Sequence, residues 1–227
     1  LDREIETILS LGVTVHTNFE VGRDGTLESL KKTYDAVYVA IGAHGDRKMR
    51  VSGEEAKGVI PAVKMLRDIA LDNPVDLKGK KVVVIGGGNG AMDAARSSVR
   101  LGALEVSVAY RRRMQDMTAQ REEIEGALAE GVDILELMAP GKVEQDENGQ
   151  VAAIWLQEMT VGAIDASGRP KPVPSGAPDQ RLACDVVIVA IGQDIESGFL
   201  AKDGIPCSRN AVVAEDDLSI KGSSGIF

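Results

Sequence analysis

Six consecutive residues, Gly86-Gly87-Gly88-Asn89-Gly90-Ala91, follow the β-branched run Lys81-Val-Val-Val-Ile85 and precede a segment of helical spacing from about Ala91 to Leu101. They fit G-x-G-x-x-A, and their place between a strand and a helix gives the pattern its weight. Gly86 lets the chain turn tightly off the strand. Gly88 has no side chain, so a pyrophosphate can approach the backbone, and the small Ala91 permits close helix–strand packing. The free N–H groups of the first helical turn, with the positive end of the helix dipole, then face the anion. This chemistry is dinucleotide binding.

The next strand, Glu105 to Tyr110, bears on which dinucleotide. In NAD-binding units this strand usually ends in Asp or Glu, which accepts hydrogen bonds from the ribose 2′-OH. Here it ends Tyr110-Arg111-Arg112-Arg113, about 25 residues beyond Gly86. A planar guanidinium matches phosphate geometry, and each charge-assisted bond is worth roughly 1.5–3 kcal/mol. Two such contacts, from Arg111 and Arg112, favour NADPH over NADH by on the order of a hundredfold. The alternative is a solvated basic turn balancing Glu122 and Glu123. NADP(H) is the preferred ligand on this reading.

Other chemistry-bearing residues are sparse. His16 and His44 are isolated, and Asp93 falls in the first helical turn, where a carboxylate favours the dipole. No Ser-His-Asp set and no pair of acid–base carboxylates stands out, so no catalytic side chain is assigned. Cys184 and Cys207 lack CxxC spacing, which excludes an iron–sulfur or zinc site built from this chain alone. Two lone thiols point to a reducing, cytoplasmic setting. The net charge of −9 is spread along the chain and argues against a nucleic-acid partner. No apolar run approaches the roughly 20 residues of a membrane span.

The elements that must position the glycines and arginines read as strand–helix–strand–helix from Lys81 to Glu130, which implies a parallel sheet. Hydrophobic residues make up 44% of the 227, but aromatics only 3%, so the core rests on Val, Ile, Leu and Ala. That composition suits parallel strands covered by helices on both faces. Upstream, helices are expected at Leu1–Leu11, Thr26–Lys32 and Ala62–Leu71. A short strand is expected at Val13–Val15, and a buried one at Asp35–Ile41. After Gly131 the rhythm changes to strands at Val132–Met138, Lys142–Gln145 and Gln150–Met159, with Asn148-Gly149 as a hairpin turn. An antiparallel ribbon is expected to extend from the sheet there. Ser167–Pro178, rich in Pro and Gly, reads as a surface loop, and Val186–Ile191 as a returning buried strand. Tyr34–Ala43 and Cys184–Gln193 share six of ten aligned residues, either by chance between Val-rich strands or because two related nucleotide-binding domains each supply one.

These motifs resemble a known family. Gly86-Gly-Gly-Asn-Gly-Ala-Met-Asp93, Ala95-Arg96, Arg100-Leu-Gly-Ala103, Tyr110-Arg-Arg112, Glu130-Gly-Val132 and Asp185-Val-Val-Ile-Val-Ala-Ile-Gly-Gln193 are similar to the small subunit of NADPH-dependent glutamate synthase. The flavin domain of dihydropyrimidine dehydrogenase and ferredoxin:NADP oxidoreductase subunits share the pattern. The resemblance implies a FAD domain interrupted by an inserted NADPH domain. NADPH reduces FAD, and electrons leave through iron–sulfur clusters toward a partner domain or large catalytic subunit. By position it assigns Gly86, Gly88, Asn89, Gly90 and Ala91 to the pyrophosphate, Arg111 and Arg112 to the 2′-phosphate, and Gly192 and Gln193 to the nicotinamide end.

The expected fold is therefore α/β: a Rossmann-like dinucleotide-binding domain over residues 46–195, with a parallel sheet and an antiparallel ribbon. Residues 1–45 and 196–227 are expected to be parts of an incomplete FAD-binding domain. The opening Leu and the closing Gly-Ile-Phe read as cuts through a larger protein. With no second G-x-G-x-x-G, the chain alone is expected to bind NADP(H) but hold FAD poorly, and not to turn over. The competing function is a redox-sensing or regulatory module that binds a dinucleotide without chemistry.

Overall fold

The computed structural model describes residues 1–166, 168–208 and 210–227. They divide into two compact units, Leu1–Ala43 with Ile195–Phe227, and His44–Asp194. The chain opens with α1 (Asp2–Ser10) and α2 (Leu27–Thr33) of the first unit. The second unit follows with β1 (Gly45–Asp46), β2 (Val59–Pro61), α3 (Ala62–Ala70), β3 (Lys81–Ile85), α4 (Asn89–Arg100), β4 (Glu105–Tyr110) and α5 (Arg121–Ala129). It continues with β5 (Asp133–Glu136), β6 (Met138–Gln145), β7 (Val151–Ile164), β8 (Pro170–Pro174), β9 (Gln180–Ala183), β10 (Val186–Val189) and β11 (Gln193–Asp194). The chain then completes the first unit with α6 (Gly198–Lys202), β12 (Cys207–Ser208) and β13 (Ala211–Val212).

The second unit is built on a five-stranded parallel sheet in the order β2-β10-β3-β4-β5. Its strands are β-branched because both faces are buried, and the period of two sorts their side chains between two cores. Val82, Val84, Val106, Val108 and Ile188 face Met65, Met92, Ala94, Ala95 and Ala127 of α3, α4 and α5. Val83, Ile85, Ala109 and Val187 instead meet Val143, Val151, Ile154, Leu156 and Cys184 of the ribbon. Each buried Val or Ile contributes roughly 1.5–3 kcal/mol. Helices thus cover one face and an antiparallel sheet the other, which corrects the expectation of helices on both. A Val-rich strand records that both its faces are dry, not what dries them. α4 packs through small residues, and its buried Ser98 hydroxyl donates to Ala94 O at 2.7 Å, so no polar group is stranded.

The ribbon pairs β6 with β7 antiparallel through the turn at Asn148-Gly149, while β8 and β9 both pair with β7. At Leu137, φ +57° breaks the expected Val132–Met138 strand, and the chain leaves the parallel sheet after β5 to enter β6. The expected surface loop at Ser167–Pro178 contains a strand, β8, although Ser167 itself lies outside the described residues. Its prolines are tolerated because β8 pairs on one side only, at the sheet edge.

The first unit packs Leu27, Leu200, Ile205, Ile220 and Ile226 into a small core. A reciprocal capping box of Thr26 and Ser29 starts α2. The buried strand expected at Asp35–Ile41 is not present. Val37 makes an isolated bridge to Ile226, and Tyr38 is 69% exposed. Its only ladder partner among the described residues is the segment Gly225–Phe227, too little to bury a β-branched run. Val13–Val15 likewise forms no strand. Among the described residues, no helix is long and apolar enough to cross a membrane.

Candidate functional site

In the parallel sheet β3 leads to β4 and β5 on one side, whereas β10 and β2 lie on the other. The order reverses between β3 and β10, and the crevice beyond their carboxyl ends is where open α/β sheets receive ligands. Three segments leave the sheet there: Gly86–Gly90 after β3, Arg111–Arg113 after β4, and Ala190–Gln193 after β10. Together they line a cleft of about 690 Å³.

The glycine turn is fixed by close approach. At Gly86, φ is +148°, and a Cβ there would lie 2.2 Å from Ala190 O, so only glycine passes between β3 and β10. A Cβ on Gly87 would lie 2.6 Å from two ring carbons of Tyr110, whose hydroxyl donates to Asp116 O at 3.0 Å. Gly87 O accepts the Thr118 and Ala119 amides, each at 3.0 Å, and the Asn89 side-chain oxygen accepts the Gln120 amide at 2.8 Å. The connection after β4 therefore clamps the turn. Toward the cleft the turn is open: a Cβ on Gly90 would meet nothing within 4 Å, and one on Gly88 only Thr118 Oγ1 at 3.5 Å. Gly88 caps the twelve-residue α4 without a side-chain cap; the Ala91 and Met92 amides donate to Gly88 O at 2.9 and 3.3 Å, which leaves the Asn89 and Gly90 amides for an anion.

The arginines separate into distinct roles. Arg111 is exposed, lines the cleft, and its guanidinium has no protein partner among the described residues. Arg112 is 6% exposed; its Nε donates to Pro170 O and its Nη2 to Asp165 Oδ2, both at 2.7 Å. Arg113 is paired with Asp116 through two bonds of 2.8 and 3.0 Å. The Asp116 carboxylate holds the Arg113 pKa above its ordinary value, and Arg113 holds Asp116 below its own. Glu136 accepts the Met114 amide and steadies the same loop.

Eight of the nine residues singled out in the sequence line this cleft: Gly86, Gly88, Gly90, Ala91, Arg111, Arg112, Gly192 and Gln193. Asn89 does not, because its side chain is spent on the Gln120 amide. Sequence reasoning missed Arg47 and Arg169, which also line the cleft. Arg47 donates to Gln193 O at 3.2 Å and to Asp194 at 2.8 Å, across the short β1–β11 ladder. No motif marks either arginine, since each reaches the site from a loop distant in sequence. Among the described lining residues there are four arginines and no carboxylate, in a chain of net charge −9. Such a cleft selects a polyanion.

A family model described as pyridine nucleotide-disulphide oxidoreductase matches residues 3–227. The chain belongs to that family. Among curated relatives of this pyridine nucleotide-disulphide oxidoreductase is the NADP(+)-dependent formate dehydrogenase subunit beta of Moorella thermoacetica, 42% identical over 99% of this chain and 32% of the relative. Another is the glutamate synthase [NADPH] small chain of Escherichia coli, 35% identical over 95% of this chain and 48% of the relative. The resemblance drawn from the motifs is thereby borne out, and the chain spans about a third to a half of the length of these relatives. Among solved structures, Mycobacterium tuberculosis FprA in complex with NADPH superposes with a TM-score of 0.73 at 22% identity, covering 92% of this chain and 60% of that one. The α/β fold with its parallel sheet is that of the family.

Proposed function

We propose that residues 46–195, nearly all of them in the unit His44–Asp194, form an NADP(H)-binding domain inserted in a FAD-binding domain, to which residues 1–45 and 196–227 belong. In the whole protein, NADPH reduces FAD, and electrons continue to iron–sulfur clusters of a partner domain or larger catalytic subunit, in a reducing cytoplasmic setting. The relatives named as an NADP(+)-dependent formate dehydrogenase subunit and a glutamate synthase [NADPH] small chain support this reading. They also differ in the reactions that their names state. With one glycine turn of this type in the sequence, the chain alone is expected to retain NADP(H) but not FAD.

One observation carries the proposal: Arg111, a guanidinium without a partner among the described residues, stands at the end of β4 in a cleft whose glycine turn is open to phosphate. The amides of the α4 first turn hold the pyrophosphate, and Arg111 takes the adenosine 2′-phosphate. Gly192 and Gln193 border the nicotinamide end, and Arg47 fixes them by bonding Gln193 O and Asp194. When bound, the nicotinamide supplies a hydride directly to the flavin, so the chain's task is to orient and exclude water rather than to move protons.

Titration of the chain with NADPH and NADH tests the assignment. The substitution Arg111→Ala is expected to weaken NADPH binding about 10–100-fold, the value of one lost charge-assisted contact, and to leave NADH nearly unchanged. Equal losses for the two dinucleotides would refute the role of Arg111.

A further inference from the structure

The hairpin joining β7 to β8 reaches the same end of β4 that carries the arginines. Asp165 closes it: the Asp165 amide donates to Arg169 O at 2.8 Å, and the Gly168 amide donates to Asp165 O at 2.9 Å. The Asp165 carboxylate then accepts from Arg112 Nη2 at 2.7 Å, while Arg112 Nε holds Pro170 O at the same distance. A guanidinium that is 6% exposed therefore pins both sides of the hairpin tip, and Arg169 lies between the two pinned residues. Arg169 lines the same cleft as Arg111. Pro170 and Lys171 line a smaller recess together with Arg111 and Arg112, so the hairpin and the end of β4 border one space. The Arg112 end of this ion pair is buried and the Asp165 end is half-buried, so its main effect is to set geometry rather than to add stability.

We propose that Arg169 is a further specificity-determining residue for the 2′-phosphate, delivered by the β7–β8 hairpin. Arg112 is the positioning residue that anchors that hairpin through Asp165 and Pro170, rather than the second phosphate ligand of a simple arginine pair. The inference rests on the NADP(H) reading above. Its physical content is division of labour: Arg111 comes from the sheet, Arg169 comes from the ribbon, and the partly buried Arg112–Asp165 ion pair ties the ribbon hairpin to the sheet end.

Calorimetric titration of the full chain with 2′,5′-ADP and with 5′-AMP isolates the phosphate in question. Arg169→Ala is expected to weaken 2′,5′-ADP about tenfold and leave 5′-AMP unchanged, as loss of one guanidinium–phosphate contact requires. Asp165→Ala, which removes the anchor and keeps Arg169, is expected to produce a similar selective loss. The double variant is expected to be no weaker than Arg169→Ala alone, because both changes act through one contact. Circular dichroism of each variant separates selective loss from unfolding. If 2′,5′-ADP binds the Arg169→Ala variant as it binds the wild type, or if the two substitutions add fully, the inference is overturned. If the wild type does not prefer 2′,5′-ADP to 5′-AMP, the NADP(H) reading itself fails, an outcome distinguishable from the first.

Discussion

At the scale of the residue, specificity lies in which side chains are already engaged. Three consecutive arginines share a sequence signal, yet Arg113 is held by Asp116, Arg112 by the hairpin, and Arg111 by no partner among the described residues. The cluster was legible in the sequence, but this division was not. The partners of Arg112, Asp165 and Pro170, lie 53 and 58 positions away, beyond the reach of any local pattern. The glycines were legible for a different reason: a strand–turn–helix around a pyrophosphate demands them locally. Gly87 adds a constraint that the motif leaves open, because the Tyr110 ring occupies the space of its missing Cβ. Tyr110 is 7% exposed and bonded to Asp116 O, so it has little freedom to move aside. Gly87→Ala is therefore expected to destabilise the protein by about 1–3 kcal/mol, a drop of several degrees in Tm by thermal melting. An unchanged Tm would mean that the ring yields and the turn is not clamped as described.

At the scale of the element, the parallel strands and their helices were legible because local period and composition determine them: β3 and β4 have the bounds that their runs of apolar residues suggest. Elements that depend on distant neighbours were not. Asp35–Ile41 and Asp185–Ile191 read alike, but only the latter lies between paired strands; the former has a three-residue partner. β8 was hidden by its prolines, which an edge strand accepts. The ribbon also carries an electrostatic fastening that no motif announced. Glu144 on β6 accepts from Arg181 on β9 and from the Trp155 indole on β7, tying three strands together. Those bonds, Arg181 first, lower the Glu144 pKa from 4.5 to about 2. A depressed carboxylate contributes stability that is present above its unfolded pKa and lost as pH falls through the folded one. The contribution of Glu144 is thus expected to disappear between about pH 4.5 and pH 2. Tm measured across that range should fall more steeply for the wild type than for Glu144→Gln. Parallel curves would show that the pair is too well solvated to matter.

At the scale of the whole molecule, an acidic chain concentrates four arginines and no lining carboxylate, among the described residues, at the point where the strand order reverses. Charge and topology agree on one place, in a chain that belongs to the pyridine nucleotide-disulphide oxidoreductase family. The relatives diverge in what they finally reduce or oxidise, as their names for formate and glutamate enzymes state, while sharing this chain's span. On the proposed reading, the cleft is where NADP(H) binds. A crystal structure of the chain with NADP⁺ tests that claim most directly. The 2′-phosphate is expected within hydrogen-bonding distance of the Arg111 guanidinium, with the pyrophosphate on the backbone between Gly88 and Ala91. A dinucleotide bound away from the β3–β10 crevice, or an Arg111 side chain turned from the phosphate into solvent, would contradict it.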